Sequence, residues 1–295
     1  MSSDVLIDQV RRFNRTVTQR VGALNDAFLA RGRPLGGSRV LWEIGPDGRD
    51  VRQLRASLEL DSGYLSRLLR SLEDEGLAVV EPSAGDGRVR TVRLTASGLA
   101  ERAELDRRSD AVAASILRPL SHQQQTRLVA AMAEVEQLMT ASAVRVEVTD
   151  PRDPAARSCV AAYFAELSER FDAGFDPAQS ISADDAELTP PAGLLLLATL
   201  GDEPIGIGAL KLHRDGPAEI KRMWVSRAAR GLGLGRRLLA ELEDRAAERG
   251  VRVVRLETNR ALDEAIGLYR SQGYREVAAF NNEPYANHWF EKELS

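Results

Sequence analysis

Residues 218–250, AEIKRMWVSRAARGLGLGRRLLAELEDRAAERG, constrain the fold of this chain more than any other stretch. Ala218–Val225 reads as a strand. Leu238, Leu239, Leu242 and Ala246 recur on one face of a helix over Leu234–Arg249. Between them, the turn Arg230–Gly235 carries Gly231, Gly233 and Gly235. Glycine leaves main-chain N–H groups open to a ligand, and a helix start adds the positive end of its dipole. Together they predict a pyrophosphate cradle. Arg236 and Arg237 fall in the first helical turn, where a cation opposes the dipole unless an anion sits there. A Rossmann unit competes on glycine spacing alone. Against it, the strand before the turn is the third of its half, no βαβαβ series surrounds it, and the Lys-Ser/Thr of a P-loop is missing.

The rest of the second half fits around this turn. A helix is expected over Ala155–Phe171, loop over Phe171–Pro191, then strands Leu194–Leu200, Pro204–Leu212 and Ala218–Val225. After the helix come strand Val251–Thr258, helix Leu262–Gln272 and a final strand Ala286–Glu293. The run Arg230-x-x-Gly233-x-Gly235, the segment ALDEAIGLYRSQGY and the ending WFEKEL resemble the GNAT N-acetyltransferases over about residues 144–295. That resemblance implies an α+β fold with a mixed, splayed sheet and transfer of acetyl from acetyl-CoA, as co-substrate, to an amine. It implies that main-chain groups of Met223, Trp224 and Val225 pair with the pantetheine arm. Amides of Arg230, Gly231, Leu232, Gly233, Leu234, Gly235 and Arg236 would hold the pyrophosphate, and Asn259 would contact CoA. Tyr269, in the segment Leu268–Tyr274, would protonate the departing thiolate.

The acceptor amine must lose a proton. Two-residue alternation puts Glu219, Lys221, Met223 and Val225 on one strand face. Glu219 matches the family's common glutamate there and is a candidate base, with His288 a second candidate and ion pairing or packing the bland readings of each. The segment FNNEPYANHWF and the loop near Phe171 are rich in aromatic and acidic groups. Phe171, Phe175, Asn282, Glu283 and Tyr285 are therefore candidates for an acceptor site suited to a small cationic amine, with plain surface packing as the alternative.

The first half reads differently. Leu6, Val10, Phe13, Val17, Val21, Leu24 and Phe28 predict one long amphipathic helix. Short helices fit Ser38–Ile44 and Val51–Leu58, and Asp61 caps a helix over Ser62–Glu75. Its leucines form one stripe. The other side presents Ser62, Gly63, Ser66, Arg67 and Arg70, with Tyr64 on the flank, as in a recognition helix sized for a major groove. Strands Leu77–Glu81 and Arg88–Leu94 flank a turn, and helices follow to Leu117 and over Ser121–Thr140. The run DSGYLSRLLRSLEDEGLAVVEP, the wing GDGRVRTVRLT and the following ASG resemble the MarR family of winged-helix regulators over about residues 1–140. The resemblance implies double-stranded operator DNA as partner, and a homodimer through the first and last two helices. DNA would be contacted by the recognition helix and by the wing arginines Arg88 and Arg90, with Asp86 orienting Arg88. The competing reading is a solvated charged face. Over residues 49–93 eight arginines meet eight acids, so non-specific DNA affinity should be weak and salt-sensitive.

Composition shifts near Ala141–Pro154, which divides the 295 residues into 1–142 and 143–295. No apolar run approaches the ~20 residues of a membrane helix, and Asp4 and Asp8 interrupt any signal layout. One cysteine, Cys159, excludes an internal disulfide and reads as core, and three dispersed histidines give no metal pattern. The expectation is a reducing, cytoplasmic compartment, with no metal and no membrane partner. The function expected is a regulator fused to an N-acetyltransferase. The alternatives are a non-catalytic acyl-CoA or metabolite sensor, and an enzyme that uses the winged helix only to dimerise.

Overall fold

The computed structural model describes residues 3–23, 29, 32–82, 90–172, 174–181, 183–214 and 216–294. It divides into two compact units, Met1–Ala131 and Met132–Ser295.

The first unit is helix-rich. It holds α1 (Ser3–Arg20), α2 (Leu35–Ile44), β1 (Arg49–Asp50), α3 (Val51–Ser57), α4 (Ser62–Asp74), β2 (Ala78–Pro82), β3 (Arg90–Leu94) and α5 (Ala96–Leu117). The division falls within α6 (His122–Ala143). Short polar side chains start the helices: Asp50 accepts from the Arg52 and Gln53 N–H groups, Asp61 from Tyr64 N–H at 2.8 Å, and Thr95 from Gly98 N–H at 3.0 Å. Leu41, Leu54, Leu65, Leu72 and Val92 are fully buried and tie α2, α3, α4 and the sheet β1-β3-β2 together. Gly98 is fixed by close packing, because a Cβ there would lie 1.9 Å from the Leu77 carbonyl oxygen.

One expectation fails at the N-terminus. The apolar period continues to Phe28, but α1 ends at Arg20. Gly22 takes φ 71°, and the Ala23 N–H to Thr18 O and Gly22 N–H to Gln19 O bonds close a Schellman stop. Leu24 and Phe28 lie outside the described residues.

The second unit is an α+β sandwich on a mixed sheet. Its elements are β4 (Val144–Thr149), α7 (Pro154–Arg170), β5 (Gly193–Leu200), β6 (Glu203–Lys211), β7 (Ala218–Val225), α8 (Leu234–Ala247), β8 (Val253–Thr258), α9 (Asp263–Ser271), β9 (Arg275–Val277) and β10 (His288–Glu293). The sheet order is β4-β5-β6-β7-β8-β10-β9. All neighbours are antiparallel except β7 and β8, which pair only at Ala218–Val254 and Glu219–Arg255. Beyond those residues the two strands part, so the sheet is splayed at its centre. On one face α8 and α9 bury Leu238, Leu242, Ile266 and Tyr269 against Leu196, Leu210, Leu256 and Phe290. On the other, α7 packs Ala156 and Cys159 against Leu195, Ile207 and Ala209. Burial pushes the Cys159 thiol up to about 11, as suits a packed side chain.

Strand β7 corrects the alternation read from the sequence. Lys221 pairs with Ala209 and Trp224 with Ile207, so Arg222 and Met223 together face Gly208 in a bulge, with Arg222 at φ 53°. The extra residue flips the side chains that follow. Trp224 joins the face of Glu219 and Lys221, while Met223 packs with the core under α8. A Cβ on Gly208 would come within 2.9 Å of Met223 Sδ, so the bulge needs glycine opposite it. Two short pieces, β1 and β9, had no periodic signal, and β10 starts at His288 rather than Ala286. Among the described residues, no helix is long and apolar enough to cross a membrane, and no cluster of three His, Cys, Asp or Glu is set to hold a metal.

Candidate functional site

Where β7 has left β8, a cleft of about 620 Å³ lies between the end of β7, α7 and α9. Met223, Trp224 and Val225 form one edge, and Arg230, Gly231, Gly233, Leu234, Gly235 and Arg236 form its end. The chain leaves β7 through a short 3-10 turn, Arg227–Ala229, and enters α8 at Gly233, which caps it at φ 74° with open space where a Cβ would stand. Among the described residues, no main-chain N–H from Gly231 to Arg236 has a protein acceptor. The first return bond is Arg237 N–H to Gly233 O at 3.1 Å. A row of free donors at a helix start is the arrangement an anion needs. Arg236 faces the cleft, whereas Arg237 donates to Val144 O at 2.8 Å and holds the start of β4. Leu232 turns its side chain to the core instead.

Glu166 of α7 fastens this wall. It receives Arg230 Nη2 at 2.5 and 2.6 Å, Trp224 Nε1 at 3.0 Å and Arg170 at 3.4 Å. Burial opposes its charge, but the Arg230 and Trp224 bonds hold its carboxyl below the usual range. Nothing in the spacing singled out Glu166, because its partners lie 58 and 64 residues away.

A second, smaller pocket of about 100 Å³ adjoins the cleft. Tyr269 and Met223 line both. Tyr269 is 5% exposed, and its hydroxyl has no protein hydrogen-bond partner among the described residues. Burial raises its pKa, so the phenol stays protonated. Phe171, Phe175 and Tyr285 form an aromatic wall of the pocket, with ring centroids 4.9–5.9 Å apart. Glu283 also lines it, and its carboxylate accepts from Ser180 Oγ at 2.9 Å, Ile181 N–H at 2.6 Å and Tyr285 N–H at 3.2 Å. Tyr285 Oη accepts from Asp176 N–H at 3.0 Å.

Two residues of this pocket were not anticipated. Glu257, on β8, is 9% exposed in its side chain and ion-pairs Lys221 through Oε1. Its Oε2 is buried with no hydrogen-bond partner. Burial pushes the Glu257 carboxyl up against the pull of Lys221. Lys221 also meets Glu219 at 3.0 Å, and although burial opposes its charge the two carboxylates hold its pKa up. The available signal was a carboxylate in the run VVRLET, on the strand paralleling β7.

Glu219 and His288 line neither cavity. Glu219 is held between Lys221 and His213 Nε2, 3.0 Å from each, and although burial opposes its charge, Lys221 and the His213 hydrogen bond lower its pKa. His288 Nδ1 lies 2.6 Å from Glu276 beyond the β8 ladder. Asn259 lines the smaller pocket rather than the cleft, with its amide bonded to Tyr285 O and Ala261 N–H. Asn282 lines neither.

In the first unit, Ser62, Gly63, Tyr64, Ser66, Arg67 and Arg70 are all exposed along α4, opposite buried Leu65, Leu69 and Leu72. Arg67 sits 5.7 Å over the Tyr64 ring, and Arg70 Nε donates to Ser66 O at 3.2 Å. Arg90 opens β3, exposed and paired with Pro82. Asp86 and Arg88 lie outside the described residues.

Comparisons with known proteins agree with this two-part layout. The MarR family matches residues 38–89, and the acetyltransferase (GNAT) family matches residues 160–274. An IAA acetyltransferase of Azospirillum brasilense is 34% identical over 140 residues, 47% of this chain and 90% of that protein. The N-alpha-acetyltransferase RimI of Mycobacterium tuberculosis is 39% identical over 116 residues, 38% of this chain and 71% of its own length. A crystal structure of a GNAT-family acetyltransferase from Staphylococcus aureus aligns with a TM-score of 0.45 at 16% identity, over 52% of this chain and 100% of that one.

Proposed function

The chain belongs to the GNAT family of N-acetyltransferases, carried behind a MarR-family segment, and on that premise we propose a dimeric, sequence-specific DNA-binding regulator that acetylates a small-molecule amine. The working division is 1–142 for DNA binding and dimerisation and 143–295 for acetyl transfer. One observation carries the enzymatic reading: unbonded N–H groups of Gly231–Arg236 end a cleft that meets a second pocket at Tyr269. Acetyl-CoA supplies an activated acetyl thioester.

The protein's residues divide the remaining work. Amides of Gly231–Arg236, with Arg236, hold the pyrophosphate. The main chain of Met223–Val225, unpaired with β8, receives the pantetheine arm. Arg230, held by Glu166, fixes the loop. Phe171, Phe175 and Tyr285 enclose the acceptor, and Glu283 keeps the 174–181 segment over it. The amine nitrogen attacks the thioester carbonyl and the carbon–sulfur bond breaks. Glu257 takes the proton the amine gives up, for which an oxygen without a partner and a raised pKa suit it better than Glu219, whose pKa is lowered. The Tyr269 phenol protonates the leaving thiolate, so charge and protons balance.

The exposed row from Ser62 to Arg70 supports docking of α4 in a major groove, with Arg90 beside it and Arg88 and Asp86 on the wing. Helix α1 has no buried residue, and Val5, Leu6, Val10 and Phe13 stand exposed on it. That apolar surface supports a dimer interface. The test is a transfer screen over amines and amino acids with product mass measured, paired with a gel-shift series on the DNA flanking the gene. N-acetylated product and a sequence-selective shift are expected. Absence of product across the panel, with acetyl-CoA bound, would overturn the catalytic half.

A further inference from the structure

The glycine turn is held from outside by the helix that precedes the sheet. Gln137 lies near the end of α6, and its side-chain Nε2 donates to the main-chain oxygen of Gly231. Both residues belong to the second unit, Met132–Ser295. A second bond fastens the same junction: α6 ends at Ala143, and the next carbonyl, Val144 O, receives Arg237 Nη1 at 2.8 Å from the first turn of α8. Gln137 precedes the stretch that matches the acetyltransferase family, so family membership assigns it no part.

The Gly231–Leu232 peptide is trans, so its oxygen and its N–H point in opposite directions. Gln137 takes the oxygen. The Leu232 N–H, turned the other way, has no protein acceptor among the described residues. Gly231 sits at φ 84° and has no side chain to limit the peptide plane that follows it. That plane tilts easily unless its oxygen is bound. A tilt takes the N–H off its line and turns the oxygen, which repels an anion, toward the row of donors. The approach of α6 is close: a Cβ on Gly231 would stand 3.2 Å from Gln137 Nε2.

From this we infer that Gln137 is a positioning residue of the acetyl-CoA site: by holding the Gly231 oxygen it keeps the Leu232 N–H aimed at the diphosphate. The inference rests on the diphosphate reading of the turn and adds to it a side chain from α6, the helix in which the two units divide. Gln137 touches no reacting atom. Its loss therefore weakens the grip on the diphosphate end of the ligand and leaves the grip on the pantetheine arm as it was.

The test compares CoA with pantetheine, which has the same arm and thiol without the diphosphate and nucleoside. Dissociation constants on the full-length protein come from calorimetry for CoA and from displacement titrations for pantetheine. Gln137→Glu keeps the shape and replaces the donor by a carboxylate, Gln137→Leu removes the donor, and Gln137→Lys keeps a donor at similar reach. CoA should bind about tenfold more weakly to Gln137→Glu, about three- to fivefold more weakly to Gln137→Leu, and within about twofold of wild type to Gln137→Lys. Pantetheine should bind all four proteins alike. A wild-type preference for CoA that no Gln137 variant changes overturns the inference and leaves the diphosphate reading in place. Equal losses with both ligands overturn it as well, since they mark a role in folding alone. Wild-type protein that binds CoA no more tightly than pantetheine retires the diphosphate reading and this inference together.

Discussion

The two cavities of the second unit are built on different principles. The large cleft is closed at its sides by α7 and α9, but its end is main chain from one continuous segment, residues 231–236, whose unbonded N–H groups need only glycine and a helix start. The small pocket is made by side chains from α7, the 171–181 segment, β8 and the 283–286 loop, which meet only in space. The first should tolerate side-chain changes and resist backbone ones, and the second should behave the opposite way. Tyr269, shared by both, is where the two designs must agree.

Several substitutions can break or sharpen that contrast. The largest effect is expected for Tyr269→Phe, which removes only the proton donor: kcat should fall about 10²- to 10³-fold, while acetyl-CoA affinity, measured by calorimetry, holds within about twofold. Glu257→Gln should lower kcat/KM about 100-fold near neutral pH. Its pH profile is more telling. Glu257 works as a base only when ionised, and burial raises its pKa, so wild-type activity should fall as pH drops through a value above the ordinary carboxylate range. The variant should lose that acidic limb.

Effects on the main-chain cleft and on the first unit should be smaller and separable. Arg67→Ala should weaken specific DNA binding about tenfold in a gel-shift titration and leave acetyl transfer unchanged. Gly233→Ala places a Cβ on a left-handed residue and should weaken acetyl-CoA binding about five- to tenfold, with acceptor affinity unchanged. Glu219→Gln should alter kcat by no more than about threefold, since Glu219 reaches the pocket only through Lys221. A large loss there would move the base from Glu257 back to Glu219.

Much of this layout was legible in residue order. The turn Arg230–Gly235, the cap at Asp61 and the leucine stripe of α4 all express short-range rules, in which each residue acts within about one helical turn. The two-residue rule failed at Arg222, because a bulge depends on what lies across the ladder, here Gly208. The helical period failed past Arg20, because Gly22 made a better stop than the apolar spacing made a helix. Phe171, Phe175, Glu283 and Tyr285 were found by composition, and the fold brings them together. Glu257 and Glu166 were not found, because their partners lie far off in sequence.

Residue order alone determined that a strand, a glycine turn and a helix would present main-chain donors, since those interactions close within a few residues. Only the tertiary structure decided which carboxylate keeps one buried oxygen without a hydrogen-bond partner. That depends on β7 and β8 parting after Glu219 and Arg255, on the bulge at Arg222, and on α7 and the 283–286 loop arriving from opposite ends of the unit. A local turn can be read from its own residues, but an unmet charge is known only once every neighbour has been placed.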